Sequence, residues 1–174
     1  PILSGSVNTG ADDVRADVAF VENPGQPAIA IFAAKGPQGT EPWNVQFVES
    51  AQMPGVAVPD TSTIAELVDL APGTLGSAPA QLGKVGRRVM FTGSAGRLGV
   101  SDGTSAGTRY LENPAWQAGT SPDEGHRSRA ILDRYYFQTS AGNTGVELYM
   151  SDGTSAGTRV VADTIPGPSP GYGD

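Results

Sequence analysis

The 174-residue sequence predicts an all-β repeat protein of three units, each with about four short antiparallel strands. Three observations predict it. The nine residues Ser101 to Arg109 recur unchanged as Ser151 to Arg159, an internal repeat too long to be chance. Val, Ile, Phe and Tyr gather in short runs bounded by Gly, Asp, Asn and Pro, the composition of strands and turns. No stretch carries apolar residues at helical spacing over a usable length.

The elements follow in order. Residues 1–13 read as an N-terminal arm and 14–73 as a divergent first unit, with strands near 14–21, 28–34, 42–48 and 64–69. Asn23-Pro24-Gly25 marks a turn between the first two. A single helical turn over Thr63 to Leu70 is the weaker alternative to the last. Residues 74–120 form the second unit, with strands near 81–85, 88–93, 97–101 and 107–112. Residues 121–167 form the third, with strands near 129–133, 134–139, 146–150 and 158–163. Residues 168–174 are a flexible Pro/Gly tail, since proline cannot donate to a strand ladder.

The repeated string opens on Asp102-Gly103-Thr104 and Asp152-Gly153-Thr154. Asp accepts hydrogen bonds from amides two residues on, Gly tolerates positive φ, and Thr adds a second side-chain bond, so both are structural turns of hairpin type. Gly107 and Gly157 mark a bulge or further turn before the last strand. The metal reading gives Asp102 and Asp152 as calcium ligands. It is weak, because Ca²⁺ takes about six to eight oxygens and each loop offers one acid. No resident cofactor is expected. The first unit lacks the Asp-Gly-Thr turn and carries a divergent stretch, about Asn44 to Pro59, in its place.

Charge and composition exclude other classes. Eighteen acids against eleven Lys and Arg give a net charge of −7, which disfavours nucleic acid and anionic membranes. With no cysteine, disulfides and thiolate chemistry are excluded. No apolar run approaches the ~20 residues that span a bilayer. The start at Pro1, without a leader, is expected of a mature, processed chain.

Glu147-Leu148-Tyr149-Met150-Ser151-Asp152-Gly153-Thr154-Ser155-Ala156-Gly157-Thr158 resembles the bacterial ELWxxDGTxxGT repeat of large exported proteins. Glu41-Pro42-Trp43 is similar to its opening, and Ala71 to Ser77 to its linker. The resemblance covers most of residues 28–167. Gly99 departs from it, standing where Trp or Tyr is expected. It implies β-propeller-like blades and an extracellular, cell-surface or periplasmic setting, and no particular activity. Three blades do not close a ring. The chain is therefore expected to self-associate in pairs making six blades, to dock in a larger protein complex, or to stack openly under its own termini.

No catalytic constellation is legible. The single histidine, His126, lies in a polar loop beside Asp123 and Glu124; such a loop is more often solvated than catalytic. Trp43 and Tyr149 take equivalent strand positions and read as core. Trp116, outside the repeat pattern, is the first candidate for a ligand or partner contact, with Tyr110 and His126 beside it. The expected function is a non-enzymatic structural or protein-interaction module of an exported or surface bacterial assembly. The alternative is a carbohydrate-binding, lectin-like adhesion module that takes a glycan through Trp116. A propeller-fold hydrolase or lyase is the third class.

Overall fold

The computed structural model describes residues 18–73, 75–112, 128–140, 146–163 and 166–167. Among them the chain is all-β, with three four-stranded antiparallel sheets. Unit 1 holds β1 (Val18–Val21), β2 (Ala28–Gly36), β3 (Gly39–Glu49) and β4 (Ala57–Glu66). Unit 2 holds β5 (Ala80–Val85), β6 (Arg88–Thr92), β7 (Leu98–Ser101) and β8 (Arg109–Tyr110). Unit 3 holds β9 (Arg129–Ile131), β10 (Arg134–Ser140), β11 (Val146–Ser151) and β12 (Arg159–Ala162). Each sheet is a meander of consecutive strands. The arm and the tail lie outside the described residues.

The strands form where apolar residues gather in short runs that can be buried on both sides, and successive side chains alternate between opposite faces of the sheet. That alternation gives each sheet a front face and a back face. On β6, Val89 and Phe91 point forward and Met90 back, all fully buried. Each back face packs on the next front face. The back of unit 1 supplies Ala19, Val21, Ile31 and Leu67 to a core shared with Val89 of unit 2. The back of unit 2 supplies Met90, Leu98 and Val100 to a core shared with Tyr135, Phe137 and Tyr149 of unit 3. The first strands of the sheets lie side by side, β1 against β5 and β5 against β9.

Unit 1 differs most from its sequence reading. The stretch from Asn44 to Pro59 extends both strands of a long hairpin, and β4 runs over Ala57–Glu66, where a strand over 64–69 was expected. Its register against β3 breaks between Asn44 and Gln46. At that break Asp60 Oδ1 accepts the Ser62 amide at 3.0 Å and the Ser62 hydroxyl at 2.7 Å. The first unit, which lacks the Asp-Gly-Thr turn, thus carries an aspartate turn of different sequence, Asp60-Thr61-Ser62, inside β4.

Units 2 and 3 match expectation closely, with one change at the Asp-Gly pairs. The chain from Asp102 to Thr108 is an extended loop between β7 and β8, longer than a two-residue hairpin turn. Tight two-residue turns join the first two strands of each of these units instead, at Gly86-Arg87 and at Leu132-Asp133, where φ of the latter pair is 49° and 56°. Two left-handed residues in succession are the geometry that joins right-twisted strands closely.

Candidate functional site

The repeated loops fold identically, and their chemistry is internal. In the first, Asp102 Oδ1 accepts the Thr104 amide at 3.0 Å and the Thr104 hydroxyl at 2.7 Å. The Gly107 amide then donates to Thr104 Oγ1 at 3.0 Å. The Thr108 hydroxyl lies 2.6 Å from the Thr104 carbonyl and 2.7 Å from Ser101 Oγ. Asp152, Thr154, Gly157, Thr158 and Ser151 repeat every bond within about 0.1 Å. The Thr154 hydroxyl, above all, holds the Asp152 carboxyl below its ordinary pKa.

The motif's last glycine has a reason the sequence reading did not name. A Cβ on Gly107 would lie 2.0 Å from Asp102 Oδ1, and one on Gly157 2.1 Å from Asp152 Oδ1. The carboxylate folds back across its own loop, and only glycine leaves room. Each carboxylate is thereby committed to its turn. Among the described residues no group of three or more His, Asp or Glu is gathered for a metal ion.

The outward work of each loop falls to its first glycine. Gly103 and Gly153 take φ of 89° and 87° and present their carbonyls to the preceding unit. Asn44 of unit 1 donates from Nδ2 to the Gly103 carbonyl at 3.0 Å. Arg88 of unit 2 donates from Nη1 to the Gly153 carbonyl at 3.2 Å. The Asp-Gly-Thr loop is therefore the latch by which one unit grips the back of the unit before it.

A second fastening is the buried carboxylate of Glu41, at the start of the resemblance motif. It is fully buried. It accepts the Ser77 amide at 2.7 Å, the Ser77 hydroxyl at 2.5 Å and the Leu70 amide at 3.1 Å. Ser77 belongs to the linker into unit 2, and Leu70 directly precedes that linker. A buried charge is stable only when so compensated. Gly39 and Gly76 let the two backbones meet, since a Cβ on Gly39 would fall 2.4 Å from the Gly76 nitrogen. Nearby, burial raises the pKa of Glu66, and the Glu41 and Asp69 charges add to it. Glu147 holds the matching place in unit 3 and is equally buried.

The sequence candidates fall in different places. Trp116 and His126 lie outside the described residues, as do Asp123 and Glu124. Tyr110 is buried, with the Arg97 guanidinium 3.8 Å above its ring. Burial pushes its phenol pKa up, opposed by the Ser94 hydroxyl, Arg97 and the Ser77 hydroxyl. Its ring is a packing element within unit 2. Trp43 and Tyr149 are buried as well. Gly99 departs from the repeat pattern because the Phe91 ring covers it, with Cε2 2.1 Å from where a Cβ would stand. Glu41 as a clamp and Arg88 as a latch were missed. The signal for Glu41 was its recurrence at Glu147 inside the repeat.

No protein-family model, curated protein or solved structure matches the chain.

Proposed function

We propose that the chain is a non-enzymatic, propeller-like interaction module, a structural part of a larger exported or surface bacterial assembly. The observation that carries this is the mismatch between inner and outer faces. Every joint between units is a covered apolar face with a polar latch, while the two outermost faces carry half-exposed apolar side chains. Exposed apolar surface of this kind marks a docking site more often than bare surface. The side-by-side first strands, β1, β5 and β9, agree with blades fanning from an axis. The resemblance to exported ELWxxDGTxxGT repeats supports the setting. The aspartates spend their oxygens on turns, which favours architecture over catalysis.

The test is crosslinking of the chain in extract of its native source, followed by sizing and mass spectrometry. The chain should run in a complex of defined protein composition. Migration alone, at the 17.8 kDa of a single chain, would overturn the reading.

A further inference from the structure

Among the described residues, the back faces of units 2 and 3 match position for position, and that of unit 2 is covered while that of unit 3 is half-exposed. In unit 2, Val85 is 4% exposed and Leu111 5%. Their counterparts in unit 3, Ile131 and Val161, are 49% and 46% exposed. Between them, Met90, Leu98 and Val100 are buried under unit 3, whereas Tyr136, Leu148 and Met150 are only half-buried. The polar group repeats too. Arg88 Nη1 reaches across to the Gly153 carbonyl of the next unit. Arg134 takes the same place in unit 3, and its Nη1 turns back onto the Asp133 carbonyl at 2.8 Å. Unit 3 thus carries on its back the same set of apolar and basic groups with which unit 2 receives unit 3.

The same chain offers such a front face. On unit 1, Val18 is 50% and Phe20 39% exposed. Cross-strand pairing puts the half-buried Phe32 beside Val18, and Trp43, itself buried against Phe32 and Ile64, beside Phe32. Phe47 lies edge-on to Phe20, ring centres 5.5 Å apart. Phe32 and Trp43 hold the positions that Phe137 and Tyr149 hold on the front of unit 3, which do pack on unit 2. Charge is complementary as well. The back of unit 3 bears the exposed Arg129, Arg134 and Arg159, which register beside Tyr136, Ile131 and Met150. The front of unit 1 bears Glu49 and Glu66, in line with Phe47 and Trp43.

We infer that the back of unit 3 docks on the front of unit 1 in a second copy of the chain, so that copies join head to tail. This rests on the interaction-module reading above and names its partner. A head-to-tail contact either closes a ring or continues as a filament. Two copies make six sheets, within the roughly four to eight blades of closed propellers.

Sedimentation equilibrium on the purified full chain tests it, with variants at exposed positions chosen to spare the fold. The wild type sediments at twice the 17.8 kDa chain mass, or as a larger multiple. Ile131→Asp/Val161→Asp loses its back face and Val18→Asp/Phe20→Asp its front face, and each alone runs at the chain mass. Mixed, they return to the two-chain mass, because one intact back meets one intact front. Arg134→Glu weakens association by about tenfold, and its circular dichroism and melting match the wild type. A wild type at the chain mass throughout the micromolar to millimolar range overturns the inference. So does a Val18→Asp/Phe20→Asp variant that still pairs with itself, since that contact would be back to back. A single-chain result leaves the interaction-module reading standing, to be judged by the native-source experiment alone.

Discussion

The joint between units 1 and 2 and the joint between units 2 and 3 share one geometry but are fastened by different chemistry. The first has an aliphatic core of Ala19, Val21, Ile31, Leu67 and Val89. It adds a buried carboxylate, Glu41, that grips the linker. The exposed pair Lys84–Glu22 also crosses it, but exposed pairs contribute little. The second has an aromatic core of Tyr135, Phe137 and Tyr149, and its polar bonds centre on a small uncharged network in which Ser128 Oγ donates to Gln81 Oε1 at 2.7 Å and meets Tyr135 Oη. Tyr135 Oη donates to the Gln81 carbonyl at 2.7 Å, and the Gly86 amide to Asp133 at 3.2 Å. What the repeat conserves is the direction of stacking and the glycine carbonyl at the latch. The residues that complete each joint are free to change.

The largest expected effect breaks the first joint. Glu41→Ala leaves the Ser77 and Leu70 amides without their acceptor inside the protein. The cost expected is about 3 kcal/mol or more, read as a lower urea midpoint. Glu41→Gln keeps one acceptor oxygen and costs less. If Glu41→Ala melts like the wild type, the carboxylate is not the clamp and the aliphatic core holds the joint alone.

The next contrast isolates the covered face from the open one. Leu98→Ala removes a fully buried side chain from the second joint, with an expected cost of about 2–4 kcal/mol. Leu148→Ala, its counterpart on the open back of unit 3, costs about half of that or less in a single chain. Under conditions where chains associate, the gap narrows, because the partner buries Leu148. Equal costs at high dilution would mean that the two faces are not different environments.

How far this was legible depends on the range of the interaction. The strands of units 2 and 3 showed in the sequence because short apolar runs between turn residues are a local signal, and the exact repeat aligned the two units. Glu41 did not show, because its donors lie 29 and 36 residues away along the chain. The first half of β4 was missed because Asp60-Thr61-Ser62 looks like a turn. It is one, but it sits inside a strand that resumes on either side. Gly107 and Gly157 were seen, yet their cause was not, since the obstacle is the motif's own aspartate side chain.

The loops themselves give a smaller, pH-dependent effect. The folded-state pKa of Asp152 lies below its ordinary value, chiefly through the Thr154 hydroxyl. Its stabilisation is therefore full above the unfolded pKa of about 3.9. It is lost as pH falls through the depressed folded value. Asp152→Asn should flatten the acid limb of the stability curve and leave the neutral plateau lowered by a few tenths of a kcal/mol, the group being largely solvent-exposed. An unchanged acid limb would mean that the carboxylate contributes no more folded than unfolded.

The smallest effect sharpens the comparison from the stabilising side. Leu132 takes a left-handed conformation in the turn from β9 to β10, with its side chain 92% exposed. A branched apolar residue is strained there and gains nothing from burial. At the same place in unit 2 stands Gly86, with φ of 59°. Asparagine adopts that conformation at lower cost, so Leu132→Asn should raise stability by about 0.5 kcal/mol. Asp133, which accepts the Gly86 amide across the second joint, is left untouched. A gain in melting temperature places the strain in the turn. A loss instead would mean that Leu132 is covered in the folded protein, and the face it belongs to would have to be redrawn to include it.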